Sequence, residues 1–505
     1  MKKYEWMKND TAAIMFSAIE SAKQSRLFRL SVVFKNEEVD PERLKKAVEN
    51  IIPRYPLLMY RDVKGYYWAY LEKCDSLPLV LPEENRPAEL RRLGRDGTPE
   101  IVFLYYKRRL SIEANHVYGD GTGFLEILKS VVAEYMVLGG ADRNAFEGVR
   151  FGDGECEPEE LENAFRRYAT KEKLPKLKRE ESYVLPKEYV KDYQNYICGM
   201  FPFSELNPLC KQRNLTVTEF VASAMILAII RSAEEPVNKS IIIDIPVNLR
   251  QFFPSKTIRN FTSPMPIHFN PKGRTDVTHE EIIEAVRGQL KKYNTKENQQ
   301  AFINHSFALT QNLPAQLVLS IFKQWGMNAI QKKTHNTEMT VVFTNIGNVK
   351  IPQIMSDAIE RIEIVGGDAR VYDMSVFTSA ISVNGYMHIG FNYSTKDVSF
   401  CREFFRILAS YGISVRVESS DENGIESATE AAPKMCSECN VRIGEEYGRC
   451  PLCGSEPSKA QTPDSYFKTA LYPWPYKPYK HVPRKKKNKI YDIDRFHAWF
   501  NMDPS

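Results

Sequence analysis

His116 and Asp120 stand four residues apart in ANHVYGDGTGFLEILKSVVAEY, residues 114–135, with Gly119, Gly121 and Gly123 crowded around the acid. An imidazole ahead of a glycine-rich acidic turn suits four tasks: a phosphate cradle, a calcium loop, a general base, or a plain strand end before a helix. Spacing removes the first two. A dinucleotide fingerprint requires G-x-G-x-x-G, and GDGTGF brings its third glycine one position early; no G-K-S/T follows for a P-loop. An EF-hand loop requires acidic or amide ligands where this chain has Tyr118 and His116. The base and the turn remain, and histidine, with an ordinary pKa of about 6.5, suits a base near neutrality.

A second constellation lies near the C-terminus. Cys436, Cys439, Cys450 and Cys453 read as C-x2-C-x10-C-x2-C in CSECNVRIGEEYGRCPLCG, whereas Cys74, Cys156, Cys198, Cys210 and Cys401 are scattered singly. Two knuckles of soft thiolates form the tetrahedral set that structural zinc prefers, and four cysteines leave no open position for catalysis. Glu438, Glu445 and Glu446 against Arg442 and Arg449 favour protein contact over DNA for this ribbon. An odd number of cysteines without a leader pattern argues against a disulfide framework.

Elements that position the first constellation follow from periodicity. LFRLSVVFKNEEVD alternates as a strand, PERLKKAVENIIPRYP opens a helix at proline with Leu44, Val48 and Ile51 or Ile52 on one face, and IVFLYYKRRLSIEANHV runs as strand into the histidine. Strand, helix, strands, loop and helix make a mixed α/β lobe. The charged stretch after residue 152 reads as a linker. A second lobe begins with a polar helix and an apolar one capped at Thr216 or Thr218, then strands at KSIIIDIPVNLRQF, TEMTVVFTNIGNV, AIERIEIVGG and SVFTSAISVNGYMHIGFNYS, and a helix at VSFCREFFRILASYG. The resulting division is 1–160 N-terminal lobe, 161–190 linker, 191–416 C-terminal lobe, 417–434 disordered linker, 435–456 ribbon and 457–505 basic tail.

With 505 residues, 43% of them hydrophobic, the chain supports a sizeable core. Seven basic residues and no acidic one fall between Leu471 and Tyr491, so the net charge of +5 resides in the tail and the body is slightly acidic. This excludes the body as an electrostatic nucleic-acid binder. No apolar run approaches the roughly 20 residues of a membrane span, and the chain reads as cytoplasmic. The tail's lysines, prolines and aromatics suit either a solvated extension or an anionic membrane surface or membrane-protein partner.

The residues His116, Asp120 and Gly121 match an H-x-x-x-D-G core, and with it the chain resembles the chloramphenicol acetyltransferase-like superfamily of CoA-dependent acyltransferases and condensation domains. FRLSVVFKNEEVDPERLKKAVENIIPRYPLL, VTEFVASAMILAI, IPVNLRQFFPSKTIRNF and VVFTNIGNV resemble segments of its alcohol acetyltransferase branch in order, over roughly residues 1–415. The ribbon with its Tyr/Pro stretch resembles the start of bacterial zinc-ribbon membrane proteins. The resemblance implies two lobes with a substrate tunnel between them, acyl-CoA as co-substrate, an alcohol or amine as acceptor, and a ternary complex without an acyl-enzyme. It implies His116 as base and Asp120 as a structural acid paired with an arginine, for which Arg250 is the first choice and Arg259 the second. The family often has a second histidine where this chain has Asn115. Thr344 and Asn345 are candidate donors to the oxyanion, Asn345 being equally a turn residue before Gly347. His268, His305 and His388 lie in no motif and are assigned to packing or surface.

These readings converge on O-acyl transfer, acetyl to an alcohol or glycan-type hydroxyl, by His116. An amide-forming condensation-type enzyme and a non-catalytic scaffold docking a partner through the ribbon are the alternatives.

Overall fold

The computed structural model describes residues 5–19, 27–84, 94, 96–172, 180–186, 195–311, 318–319, 322, 339–366, 374–420, 434–443 and 447–459. Most of the basic tail, and residues 421–433 of the stretch expected to be disordered, lie outside the described residues.

The N-terminal lobe comprises strands β1 (Trp6–Lys8), β2 (Leu27–Phe34), β3 (Tyr60–Lys64), β4 (Ala69–Lys73), β5 (Leu79–Pro82), β6 (Ile101–Tyr106) and β7 (Arg109–Asn115). Its helices are α1 (Thr11–Ile19), α2 (Pro41–Ile51) and α3 (Gly121–Leu138), followed in the connection by a short α4 (Ala164–Tyr168). Asp40 caps α2 by accepting hydrogen bonds from the amides of Glu42 and Arg43, Pro41 opens its first turn, and Leu44, Ala47, Val48 and Ile51 bury one face.

The C-terminal lobe contains helices α5 (Phe203–Gln212), α6 (Val217–Ser232), α7 (His279–Tyr293), α8 (Lys296–Thr310), α9 (Gln353–Ala358) and α10 (Ser399–Ser410). Its strands are β8 (Asn195–Pro202), β9 (Ile241–Asp244), β10 (Val247–Asn248), β11 (Thr262–Ser263), β12 (Pro266–Phe269), β13 (Val341–Asn348), β14 (Ile359–Gly366), β15 (Val376–Val383), β16 (Tyr386–Tyr393) and β17 (Arg416–Ser419). Thr216 caps α6 through a reciprocal box with Glu219, which decides between the two threonines the sequence offered. The ribbon adds β18 (Lys434–Cys436), β19 (Val441–Ile443) and β20 (Ser458–Lys459). No single described helix is long and apolar enough to cross a membrane.

Three boundaries differ from the sequence reading. First, β14, expected in the second lobe, crosses over and pairs antiparallel with β2, giving a five-stranded sheet in the order β14-β2-β7-β6-β5. Its alternation of Ile362 and Ile364 with Arg361 and Glu363 is that of any strand with one apolar face, so pattern alone does not say which sheet it enters. Second, residues 157–168 of the presumed linker are packed structure. Glu160 is buried between Arg54 and Arg150, the Ile258 amide donates to its carbonyl at 2.8 Å, and Phe165 lies in a core with Phe261. Burial alone would raise the Glu160 pKa, but the hydrogen bonds and charge of Arg54 outweigh it and hold the carboxyl below its ordinary range. Third, residues 417–419 are not linker but, with Arg416, a strand, and the ribbon continues its sheet: the order is β12-β9-β13-β15-β16-β8-β17-β19-β18-β20.

Helices α6, α7 and α10 cover one face of the ten-stranded sheet with an apolar core. Its other face meets the charged face of the five-stranded sheet, the ion pair of Arg361 with Glu418 joining the two. Arg29 pairs with Glu83 at 2.7 Å and Glu113 at 2.6 Å, and Arg109 with Glu83 at 3.5 Å and Glu363 at 3.0 Å. Arg361 pairs with Glu363 at 2.8 Å and Glu418 at 3.1 Å, and Arg416 with Glu418 at 3.0 Å. All of these side chains are buried. His388, assigned by the sequence to packing or surface, belongs to this layer at 2% exposure, where burial first and Arg361 second push its pKa down to about 4.

His279 is a second buried imidazole, clasped between the Ser223 hydroxyl at 3.0 Å and the Tyr411 hydroxyl at 2.7 Å and packed on Phe220. Burial lowers its pKa to about 4, Glu280 opposing and Arg213 and Arg231 assisting. Because the folded protein holds this base neutral while the unfolded chain binds a proton near pH 6.5, its contribution is intact above that value. It is lost progressively as the pH falls from about 6.5 towards 4, by up to about 3 kcal/mol. Thermal unfolding of wild type and His279→Gln between pH 7.5 and 4.5 checks this: the variant's stability is expected to fall less steeply on acidification.

Candidate active site

Strand β7 delivers His116. At its end Asn115 folds its own side chain back, the Val117 amide donating to its Oδ1 at 2.9 Å and the Tyr118 amide to its carbonyl at 3.0 Å. The asparagine that precedes His116 therefore makes the turn that presents it. The His116 ring lies between Phe28 of β2, centroids 4.6 Å apart, and Phe16 of α1 at 5.4 Å. It is only partly buried, so two aromatic walls fix an imidazole that keeps an open side.

Asp120 caps α3, its Oδ1 accepting from the Gly123 amide at 3.0 Å. Its Oδ2 accepts from Arg250 Nη1 at 2.8 Å and from the Phe261 amide at 2.9 Å. Arg250 in turn donates to the carbonyls of Thr257 and Arg259. Arg259, the second choice for this pairing, instead faces Asp10 at 3.4 Å and donates to the Lys8 carbonyl at 2.9 Å. Asp10 caps α1 through the Ala13 amide at 2.7 Å, which anchors the helix carrying Phe16. Burial raises the Asp10 pKa and lowers that of Arg259, each opposed by the other's charge.

The segment Thr257–Phe261 thus grips the histidine loop from the other lobe. Asn260 Nδ2 donates to the His116 carbonyl at 2.8 Å and to Asp10 Oδ2 at 3.3 Å. Ile258 lies so close that a Cβ on Gly123 would stand 1.9 Å from its carbonyl oxygen and one on Gly119 2.6 Å. These two glycines are required by close approach of backbone; Gly121 meets only the Ile346 side chain, at 3.3 Å. Asn260, Ile258, Phe16 and Phe28 escaped the sequence reading, although TIRNF had been singled out as a segment.

The end of β13 reaches the loop through that Ile346 contact. Asn345 Oδ1 accepts from the Gly347 amide at 2.9 Å, Gly347 having a positive φ of 82°, and its Nδ2 donates to Thr218 Oγ1 at 3.2 Å. Its side chain is therefore engaged in the turn and with α6. Thr344, one residue earlier on the strand, points to the opposite face, so the two cannot aim at the same atom. His268 lies 3.4 Å from Glu180 and His305 is exposed; neither belongs to the site.

The four ribbon cysteines converge as their spacing predicts. Their Sγ atoms lie within 4.8 Å of one another, with Cys436, Cys439 and Cys450 buried. Turns with positive φ at Asn440 and Gly454 follow each pair, the Asn440 amide donating to the Cys436 carbonyl and the Gly454 amide to that of Cys450, both at 2.8 Å. Four convergent thiols fit a soft, tetrahedral cation.

No protein-family description and no curated protein sequence matches the chain. Solved structures do. The trichothecene 15-O-acetyltransferase TRI3 of Fusarium sporotrichioides superposes with a TM-score of 0.52 at 10% identity, covering 81% of this chain and 96% of that one. TRI101 of F. sporotrichioides, solved with coenzyme A and T-2, gives 0.50 at 10% identity over 81% and 98%. The epimerization domain from the third module of tyrocidine synthetase B gives 0.50 at 10% identity over 81% and 97%. The fold is chloramphenicol acetyltransferase-like. At these identities the likeness establishes architecture, and the activity has to be argued from this chain's own residues.

Arg250→Ala strands a buried carboxylate in the loop and is expected to cost about 3 kcal/mol of stability by denaturant unfolding, with Arg250→Lys recovering part of it. Gly123→Ala forces the loop away from Ile258 and is expected to cost about 2 kcal/mol. A Gly121→Ala control, meeting only a side chain, should cost less in the same assay.

Proposed function

We propose that this chain transfers an acyl group from coenzyme A to an acceptor hydroxyl, acetyl to an alcohol or glycan-type hydroxyl being the leading case. The observation that carries the reading is His116 itself: an imidazole held between Phe16 and Phe28 at the meeting of the lobes, on a loop locked from the opposite lobe by Asp120, Arg250 and Asn260. The likeness of the fold to the 15-O-acetyltransferase TRI3 and to TRI101, solved with coenzyme A, supports the choice of donor.

In this reading the acceptor oxygen attacks the thioester carbonyl while His116 removes its proton. The tetrahedral oxyanion collapses, the C–S bond breaks, and the imidazolium returns the proton to the departing thiolate. Asp120 is a positioning residue: its two oxygens are occupied by Gly123, Arg250 and Phe261, so it does not relay a proton from His116. Thr344 is the preferred donor to the oxyanion, because the Asn345 amide is already engaged. The thiolate cluster is assigned to structural zinc.

Free-thiol release from acyl-CoAs, measured across alcohols and amines, tests the proposal. His116→Ala is expected to lower turnover about 10²- to 10⁴-fold with the fold intact by circular dichroism. Equal turnover in variant and wild type sinks the assignment of His116. Preference for amines would move the chain to the amide-forming reading, and absence of turnover with every pair would leave it a scaffold.

A further inference from the structure

A zinc ribbon beyond a disordered linker, the division the sequence suggests, would leave the lobes untouched. The geometry is different. Strand β19 runs parallel to β17, pairing Arg442 with Arg416 and Ile443 with Val417, and β17 is antiparallel to β8 in the middle of the ten-stranded sheet. The Arg442 amide donates to the Val415 carbonyl at 2.7 Å. Tyr447, fully buried, clasps Ser419 in both directions, donating to its carbonyl at 2.5 Å and accepting from its amide at 2.6 Å.

Side chains complete the junction. Cys436, Cys439, Cys450, Val441, Ile443 and Leu452 belong to the same apolar core as Phe404 and Phe405 of α10. Arg406, on that helix, lies within electrostatic reach of Cys439. The strand so covered carries Glu418, which reaches across to Arg361 of β14 in the other lobe's sheet. The ribbon therefore protects the edge of a strand that ties the lobes together.

We propose that a soft divalent cation of the zinc class, held by Cys436, Cys439, Cys450 and Cys453, closes the C-terminal lobe's sheet, so that metal occupancy is a condition for the stability of the whole two-lobed body. Without the cation, four thiols occupy an apolar core with nothing to draw them together, and the short strands β18 to β20 have too few ladder bonds to hold β17 alone. The inference does not depend on acyl transfer, since its readouts are metal content and unfolding.

The full chain, reduced, is to be compared with and without a zinc chelator. Elemental analysis is expected to give one zinc per chain, and chelation to lower the main unfolding transition by at least about 5 °C, reversed by added zinc. A metal-free wild type, or a body transition indifferent to chelation with only a separate ribbon transition lost, overturns the proposal. Cysteine variants risk not accumulating, so Tyr447→Phe, which keeps every thiolate but removes the clasp on Ser419, provides the second arm. It is expected to retain zinc yet speed amide exchange across residues 195–202 and 416–419; unchanged exchange there overturns the coupling.

Discussion

Everything at the candidate site depends on one carboxylate. Asp120 is at once the cap of α3, the partner of Arg250 and the acceptor for the Phe261 amide, so a single side chain fixes a helix start in one lobe against a loop of the other. A buried carboxylate is tolerated only when its charge is paired and its remaining lone pairs are used. The need to satisfy Asp120 therefore dictates where Arg250 and residues 257–261 lie, and with them the orientation of His116.

The same segment does a second job through backbone contact. Ile258 rests against Gly119 and Gly123 with no room for a side chain, Asn260 holds the His116 carbonyl, and Arg259 with Asp10 secures the helix that supplies Phe16. The imidazole is thus surrounded by groups that are each held by the 257–261 segment or by its own lobe's sheet. Five consecutive residues of one lobe set the geometry of an imidazole belonging to the other, which makes the relative placement of the lobes part of the proposed chemistry.

Much of this was legible in the sequence because local rules carried it. The H-x-x-x-D-G spacing, the proline that opens α2, a threonine cap at the start of α6 and the two cysteine knuckles are short-range patterns whose physics operates within a few residues. Arg250 was named as the partner of Asp120 from a resemblance, and it makes that pair. What sequence did not yield is long-range: that β14 leaves its lobe to join β2, that Glu160 is buried between Arg54 and Arg150, and that β17 continues into the ribbon. A strand's alternation reports that one face is buried and is silent on its neighbour. A charged stretch reads as linker unless its partners, here the sequence-distant Arg54 together with the nearby Arg150, are known.

The charged face of the five-stranded sheet ties its strands to one another and, through Arg361 and Glu418, to β17 of the other sheet. Two apolar sheet faces can slide or re-pack at modest cost, because hydrophobic contact is non-directional. Here Arg29, Arg109, Arg361 and Arg416 alternate with Glu83, Glu113, Glu363 and Glu418 across β2, β7, β14 and β17 and the loop after β5, each arginine facing two carboxylates or sharing one with a neighbour. Displacement of a strand by one residue would turn its charges to the opposite, apolar face and leave buried ions unpaired, a penalty of several kcal/mol for each. Such a layer adds little net stability compared with an apolar one, yet it admits a single alignment. Since β7 ends at Asn115 and His116, that alignment is passed directly to the imidazole, and since Glu418 lies on the strand the ribbon covers, the thiolate cluster and the histidine are two ends of one registered structure.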